Sequence, residues 1–248
     1  MALGKLKPAL AAPLLALGCL ALAACQPSPE EDRANIERDI LSTPGSEELW
    51  GAIKREYPED FAQLIDRIQA LNSTERRSED MGKEIGQAWL KEFFAKIAPD
   101  SVKAPAEQLL VWSAAEAEVY AALQRSAPAE CAKMTLGDWI LIDDRDVTAT
   151  TAISARNLAV VRAAAAGRDN PQDYAEPSEA DFVQLGETIS QTGLAPDLQA
   201  TLGSEAEMRA LRSRDQCQLG VAFHQGIVAL PDELEPRLAA FLLAPVPD

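Results

Sequence analysis

The stretch PEDFAQLIDRIQAL constrains the fold more than any other part of the chain. Phe61, Leu64, Ile65, Ile68 and Leu71 fall at i, i+3, i+4, i+7 and i+10, one face of an α-helix, behind Pro58, which suits a helical first turn. The same period recurs. Ile85, Trp89, Phe93 and Ile97 form a stripe within Met81–Ile97, and PAEQLLVWSAAEAEVYAALQ, from Pro105, makes a helix that ends before Pro128. TATTAISARNLAVVRAAAAG reads as an alanine-rich helix closed by Gly167 as a C-cap. Ser46, Ser178 and Ser204 stand where N-caps belong, Ser204 with Glu207 in a capping-box spacing. The helix begun at Ser204 is expected to run to Leu230. Its second half, CQLGVAFHQGIVAL, is apolar on nearly every face, as a central buried helix would be. PDELEPRLAAFLL makes the final helix. LGDWILIDD, residues 136–144, is the one strand-like or irregular segment. The expectation is an all-α fold, a single irregular multi-helix domain of roughly 8–9 helices. GRDNPQDYAEPS, residues 167–178, is the strongest loop and the one candidate for an internal boundary. The tryptophans at 50, 89, 112 and 139 are unevenly spaced, against a helical repeat array.

The head of the chain is different. Lys5 and Lys7 precede an apolar run over residues 9–24, broken only by Pro13 and Gly18. A basic start, an apolar middle and a small-residue end make the layout of a secretory signal peptide. The run is shorter than the ~20 residues that cross a bilayer and lacks a basic stop-transfer flank. It ends on Leu22-Ala23-Ala24-Cys25, which closely resembles the lipobox of bacterial lipoprotein precursors. In that family the cysteine thiol is diacylated, the signal is cut just before it, and the new amino group receives a further chain. The resemblance implies a lipid anchor at Cys25. With Gln26 rather than an aspartate after it, the resemblance also implies retention at the outer membrane, facing the periplasm. The alternative is ordinary cleavage after Ala21–Ala23, which would release a protein without lipid. The organisation expected is a signal over 1–24, a lipidated cysteine with a short proline-rich linker over 25–32, and a helical domain over 33–248.

Cysteine arithmetic fits export. Of Cys19, Cys25, Cys131 and Cys217, the first leaves with the signal and the second carries lipid, so Cys131 and Cys217 remain, with one pairing open to them. On the chain-entropy model a bridge closing residues 131–217 stabilises by roughly 4–5 kcal/mol, less any strain. Two free thiols are the other reading. A metal site lacks any CxxC or histidine at ligand spacing, so no metal and no cofactor are expected.

The formal net charge is −16, and two units more negative once Lys5 and Lys7 are gone. Such a surface repels phosphate backbones, which excludes nucleic acid as a partner class. His224 is the one histidine; it sits mid-helix on an apolar stripe, without a G-x-S-x-G elbow anywhere, and is read as structural. Asp143 to Asp146, DDRD, lacks the alternating order of a calcium loop and is read as a cap for the helix that follows. Glu116 and Glu118 are two apart, too close to share a helix face. Trp50, Trp89 and Trp112 are read as core. No residue is singled out as catalytic. The expected function is a membrane-anchored, non-enzymatic interaction or accessory module with a protein or peptide partner in the envelope. The alternative is a carboxylate-dependent hydrolase of envelope glycans, whose acids the sequence does not single out.

Overall fold

The computed structural model describes residues 28–71, 79–138, 140 and 146–244. The signal, Cys25, Trp139, Asp143–Arg145, the NSTERR break and the last four residues therefore lie outside the described residues. So does most of the segment read as strand-like. Among the described residues the chain is entirely helical, with twelve helices. These are α1 Pro29–Leu41, α2 Glu47–Glu56, α3 Pro58–Gln69, α4 Glu79–Ser101, α5 Ala106–Ser126 and α6 Pro128–Thr135. They continue as α7 Val147–Asp169, α8 Glu179–Gln191, α9 Pro196–Gln199, α10 Glu205–Ala210, α11 Ser213–Val228 and α12 Glu235–Leu243. None is long and apolar enough to cross a membrane.

The all-α expectation holds, but the helix count exceeds 8–9 for local reasons. Pro29, inside the segment read as linker, already starts α1. Ser28 Oγ accepts from the Glu31 amide while Glu31 Oε2 accepts from the Ser28 amide, a complete capping box. Downstream, the single helix expected from Ser204 to Leu230 is two. Leu211 and Arg212 are extended, and Gln216 Nε2 donates to the Met208 and Arg209 carbonyls at 3.0 and 3.3 Å, satisfying backbone that the break leaves open. Pro128 and Pro196 each start a short helix after a non-helical residue, which adds α6 and α9.

Caps fall out unevenly. Ser178 and Asp181 form a full capping box at α8, and Asp146 accepts from the Ala149 amide at 3.1 Å to cap α7, as its sequence context suggests. Ser46 does not cap α2 with its side chain; its hydroxyl instead lies 2.8 Å from that of Ser154, tying α2 to α7. Gly167 is not a C-cap either. It lies inside α7, buried, and α7 ends at Asp169. A Cβ there would sit 2.0 Å from the Asp100 carbonyl oxygen, so the glycine marks where α7 meets the end of α4.

Three apolar clusters join into one body. The first lies between α1–α5, α7 and α12; within it Trp89 stacks on Phe93 at 4.9 Å and Tyr57 meets Phe93 edge-on at 5.2 Å. The second surrounds Cys131 and Cys217, whose sulfurs are at bonding distance across α6 and α11. The third packs α8 against α11 and α12. Helix α5 runs from the first cluster (Leu109, Trp112) into the second (Val119, Leu123), and α11 runs from the second (Cys217, Val221) into the third (Ile227). The loop at 170–178 is pinned to the α4–α5 junction: the Gln172 amide donates to the Lys103 carbonyl and the Tyr174 hydroxyl to that of Ala104, both at 2.8 Å.

Candidate binding pocket

Where α5, α6, α8 and α11 converge, they do not close completely. A pocket of about 850 Å³ remains, completed by the α9–α10 segment and by Leu242 of α12. Its walls follow from helical spacing. Trp112, Glu116 and Tyr120 lie one turn apart on α5; Phe182, Leu185, Gly186 and Ile189 share a face of α8; Leu219, Gly220, Phe223 and His224 do so on α11. Met134 and Thr135 come from the end of α6, and Leu202 and Met208 from the segment before α11.

Small residues let these walls meet. A Cβ on Gly220 would lie 2.3 Å from Thr135 Oγ1 and 2.4 Å from Tyr120 Cε1, so α11 reaches α5 and α6 only because that position is bare. Thr135 Oγ1 donates to the Cys131 carbonyl at 2.9 Å, so the same short helix carries both the disulfide and one wall.

Glu116 is the one acid in the described lining; it is 9% exposed, and its Oε2 lies 3.4 Å from Arg156 Nε of α7, which stands behind the wall and does not line the pocket. Neither atom has a hydrogen-bond partner. The His224 ring stacks on Tyr120 at 4.4 Å and meets Phe223 edge-on at 5.3 Å. Burial pushes the His224 pKa below its ordinary 6.5, with the Arg156 charge acting the same way and Glu116 opposing. Burial likewise pushes the Tyr120 hydroxyl far up. Both rings are therefore neutral near pH 7, and the Glu116–Arg156 pair balances its own charge. Phe182 of the lining is 45% exposed, and it meets Phe241 of α12, itself 49% exposed and outside the lining, edge-on at 6.0 Å.

His224 carries a pH prediction. Its folded pKa lies below its unfolded value, so the unfolded chain binds the proton first. Its contribution to stability is constant well above pH 6.5 and is lost as pH falls through that value. Urea midpoints at pH 7.5 and 5.5 should differ less for His224→Gln than for the unsubstituted protein; an identical difference would refute the assignment.

Sequence reasoning placed His224 on an apolar stripe, and the structure puts it there, at the wall of the pocket. Glu116 and Glu118 do part company, Glu118 being exposed. Trp89 and Trp112 are core, whereas Trp50 is half-buried. Glu116, read in the sequence only as too close to Glu118 to share a helix face, lines the pocket; the signal for it was a carboxylate one turn from both Trp112 and Tyr120. Burial pushes the Glu235 carboxyl above its ordinary value, with Ser113 opposing and Asp232 adding, but Glu235 does not line the pocket. Among the described residues no group of acids, cysteines and histidines is arranged to hold a metal. Compared with known proteins, the chain matches no family model, no curated protein and no solved structure.

Proposed function

We propose that this chain is a non-enzymatic binding module, anchored through Cys25 at the periplasmic face of a bacterial outer membrane, that receives its partner in the pocket between α5, α6, α8 and α11. The observation that carries the binding reading is the pocket itself. Its volume of about 850 Å³ and its apolar walls, with a few polar groups among them, match what ligand sites of roughly 300–1,000 Å³ offer. The anchor rests on the Leu22–Cys25 sequence. With α1 starting at Pro29, Cys25 is separated from the domain by at most about 14 Å of extended chain, so an anchored domain would work at the membrane surface.

The alternative, a glycan hydrolase, needs two carboxyl groups about 5–9.5 Å apart across one bond. Among the described residues lining the pocket, Glu116 is the one acid, and it faces Arg156. Binding is the better use of this geometry.

Two measurements test the proposal. Cys25→Ala should shift the protein from the membrane to the soluble fraction; tight membrane association of that variant would remove the anchor. Native mass spectrometry of the protein purified from envelopes should show a bound adduct that Gly186→Phe lacks. That substitution enters open space on α8, where a Cβ has no neighbour within 4 Å, and fills the pocket from its wall. A bare mass for the unsubstituted protein would overturn the binding reading.

A further inference from the structure

We propose that the pocket takes a neutral amphiphile, a single alkyl or acyl chain whose uncharged head donates a hydrogen bond to the Glu116 carboxylate. The inference rests on the binding reading above and names the chemical class of the ligand.

The head follows from electrostatics around Glu116. Glu116 Oε2 and Arg156 Nε face each other at 3.4 Å, buried, each without a hydrogen bond. Oε2 is turned to Arg156, which does not line the cavity, and Glu116 is the one acid among the described residues that do, so its carboxylate is the acceptor a ligand head would meet. The pair is already neutral overall, and the two rings beside it, His224 and Tyr120, add no charge. An ionic head arriving there would lose its hydration without gaining a free counter-charge. A hydroxyl or amide N–H brings one donor to an acceptor that lacks one, the arrangement with the least desolvation to offset.

The body follows from the walls. Met134, Met208, Leu185, Leu219 and Phe223 offer apolar contact, and the two methionines are unbranched and adaptable, suited to a chain without a rigid outline. Each methylene buried contributes about 0.8 kcal/mol. The entrance follows from the exposed end. Phe182, which lines the pocket, stands open to solvent against the equally exposed Phe241, an apolar rim on a chain of net charge −16 that an alkyl chain can cross.

The test compares heads on one chain length. The full chain carrying Cys25→Ser, exported and purified without detergent, is titrated calorimetrically into 1-dodecanol below its solubility limit and into dodecanoate and dodecyltrimethylammonium below their micelle concentrations. Dodecanol should bind at least tenfold more tightly than either ion. Glu116→Gln, which removes the one negative charge from the described lining, should narrow the preference for dodecanol over dodecanoate. Gly186→Phe should abolish binding of all three while leaving the circular dichroism spectrum unchanged. Tightest binding by either ion in the protein with Glu116 intact overturns the neutral head and leaves the pocket as a binding site. No binding by any probe, or binding indifferent to Gly186→Phe, overturns both. The head series decides the matter whether or not Glu116→Gln folds.

Discussion

Replacing Gly167 with alanine should cost about 3 kcal/mol or more, the upper end of what overpacking a core costs. The physical reason is that the obstacle is main chain. The new Cβ would meet the Asp100 carbonyl oxygen at 2.0 Å, with the Ala104 nitrogen 3.0 Å away. A clashing side chain can turn aside; the last turn of α4 cannot do so without losing the contacts that seat α7, whose Ala159, Ala163 and Ala164 are buried in the first cluster. For a chain of this size each kcal/mol shifts the melting temperature by about 2–4 °C, so a fall of about 6–12 °C is the expected reading by differential scanning calorimetry. Gly51→Ala is the control. It lies in α2, a Cβ there meets nothing within 4 Å, and alanine favours a helix, so its melting temperature should hold or rise slightly. Equal falls in both variants would show that the α4–α7 approach is not the cause.

The second large effect concerns Cys131 and Cys217. The bridge spans a sequence separation of 86, between α6 and α11, and both residues are fully buried beside Val119, Leu123 and Ala149. Removing a native disulfide from a small domain costs about 2–5 kcal/mol, and a loop this long belongs toward the upper part of that range. The double variant Cys131→Ala, Cys217→Ala should melt roughly 8–20 °C lower than the parent. Reduction should lower the parent's melting temperature by a similar amount and leave the double variant unmoved. A double variant as stable as its parent would mean that packing alone holds α6 on α11. Because Thr135 sits on the same eight-residue helix as Cys131, loss of the bridge should also loosen one wall of the pocket. Dodecanol binding should weaken along with stability.

What could be read from the chain was local. Helical periods such as Phe61–Leu71 and caps such as Ser178–Asp181 work within one or two turns, so the residues that decide them are neighbours in sequence. The all-helical class, the positions of α3, α5 and α8, and the pairing of Cys131 with Cys217 were legible on those terms or by counting. Readings failed where the deciding atom lies far away. Gly167 looks like a C-cap until Asp100 is placed against it, and Ser46, though it stands at the N-cap position as read, gives its hydroxyl to Ser154 rather than to the helix. The break at Leu211–Arg212 is held by Gln216 reaching back across it. The pocket is the extreme case. Glu116, Thr135, Gly186 and His224 come from four helices spread over 109 positions, and nothing within a helical turn of any of them reports the others. Sequence determined which segments became helices and which faces sought burial. Tertiary packing decided that four of those faces would meet around an unfilled space with one acid, Glu116, in its wall, because that depends on where bare glycines let helices approach and where bulky side chains hold them apart.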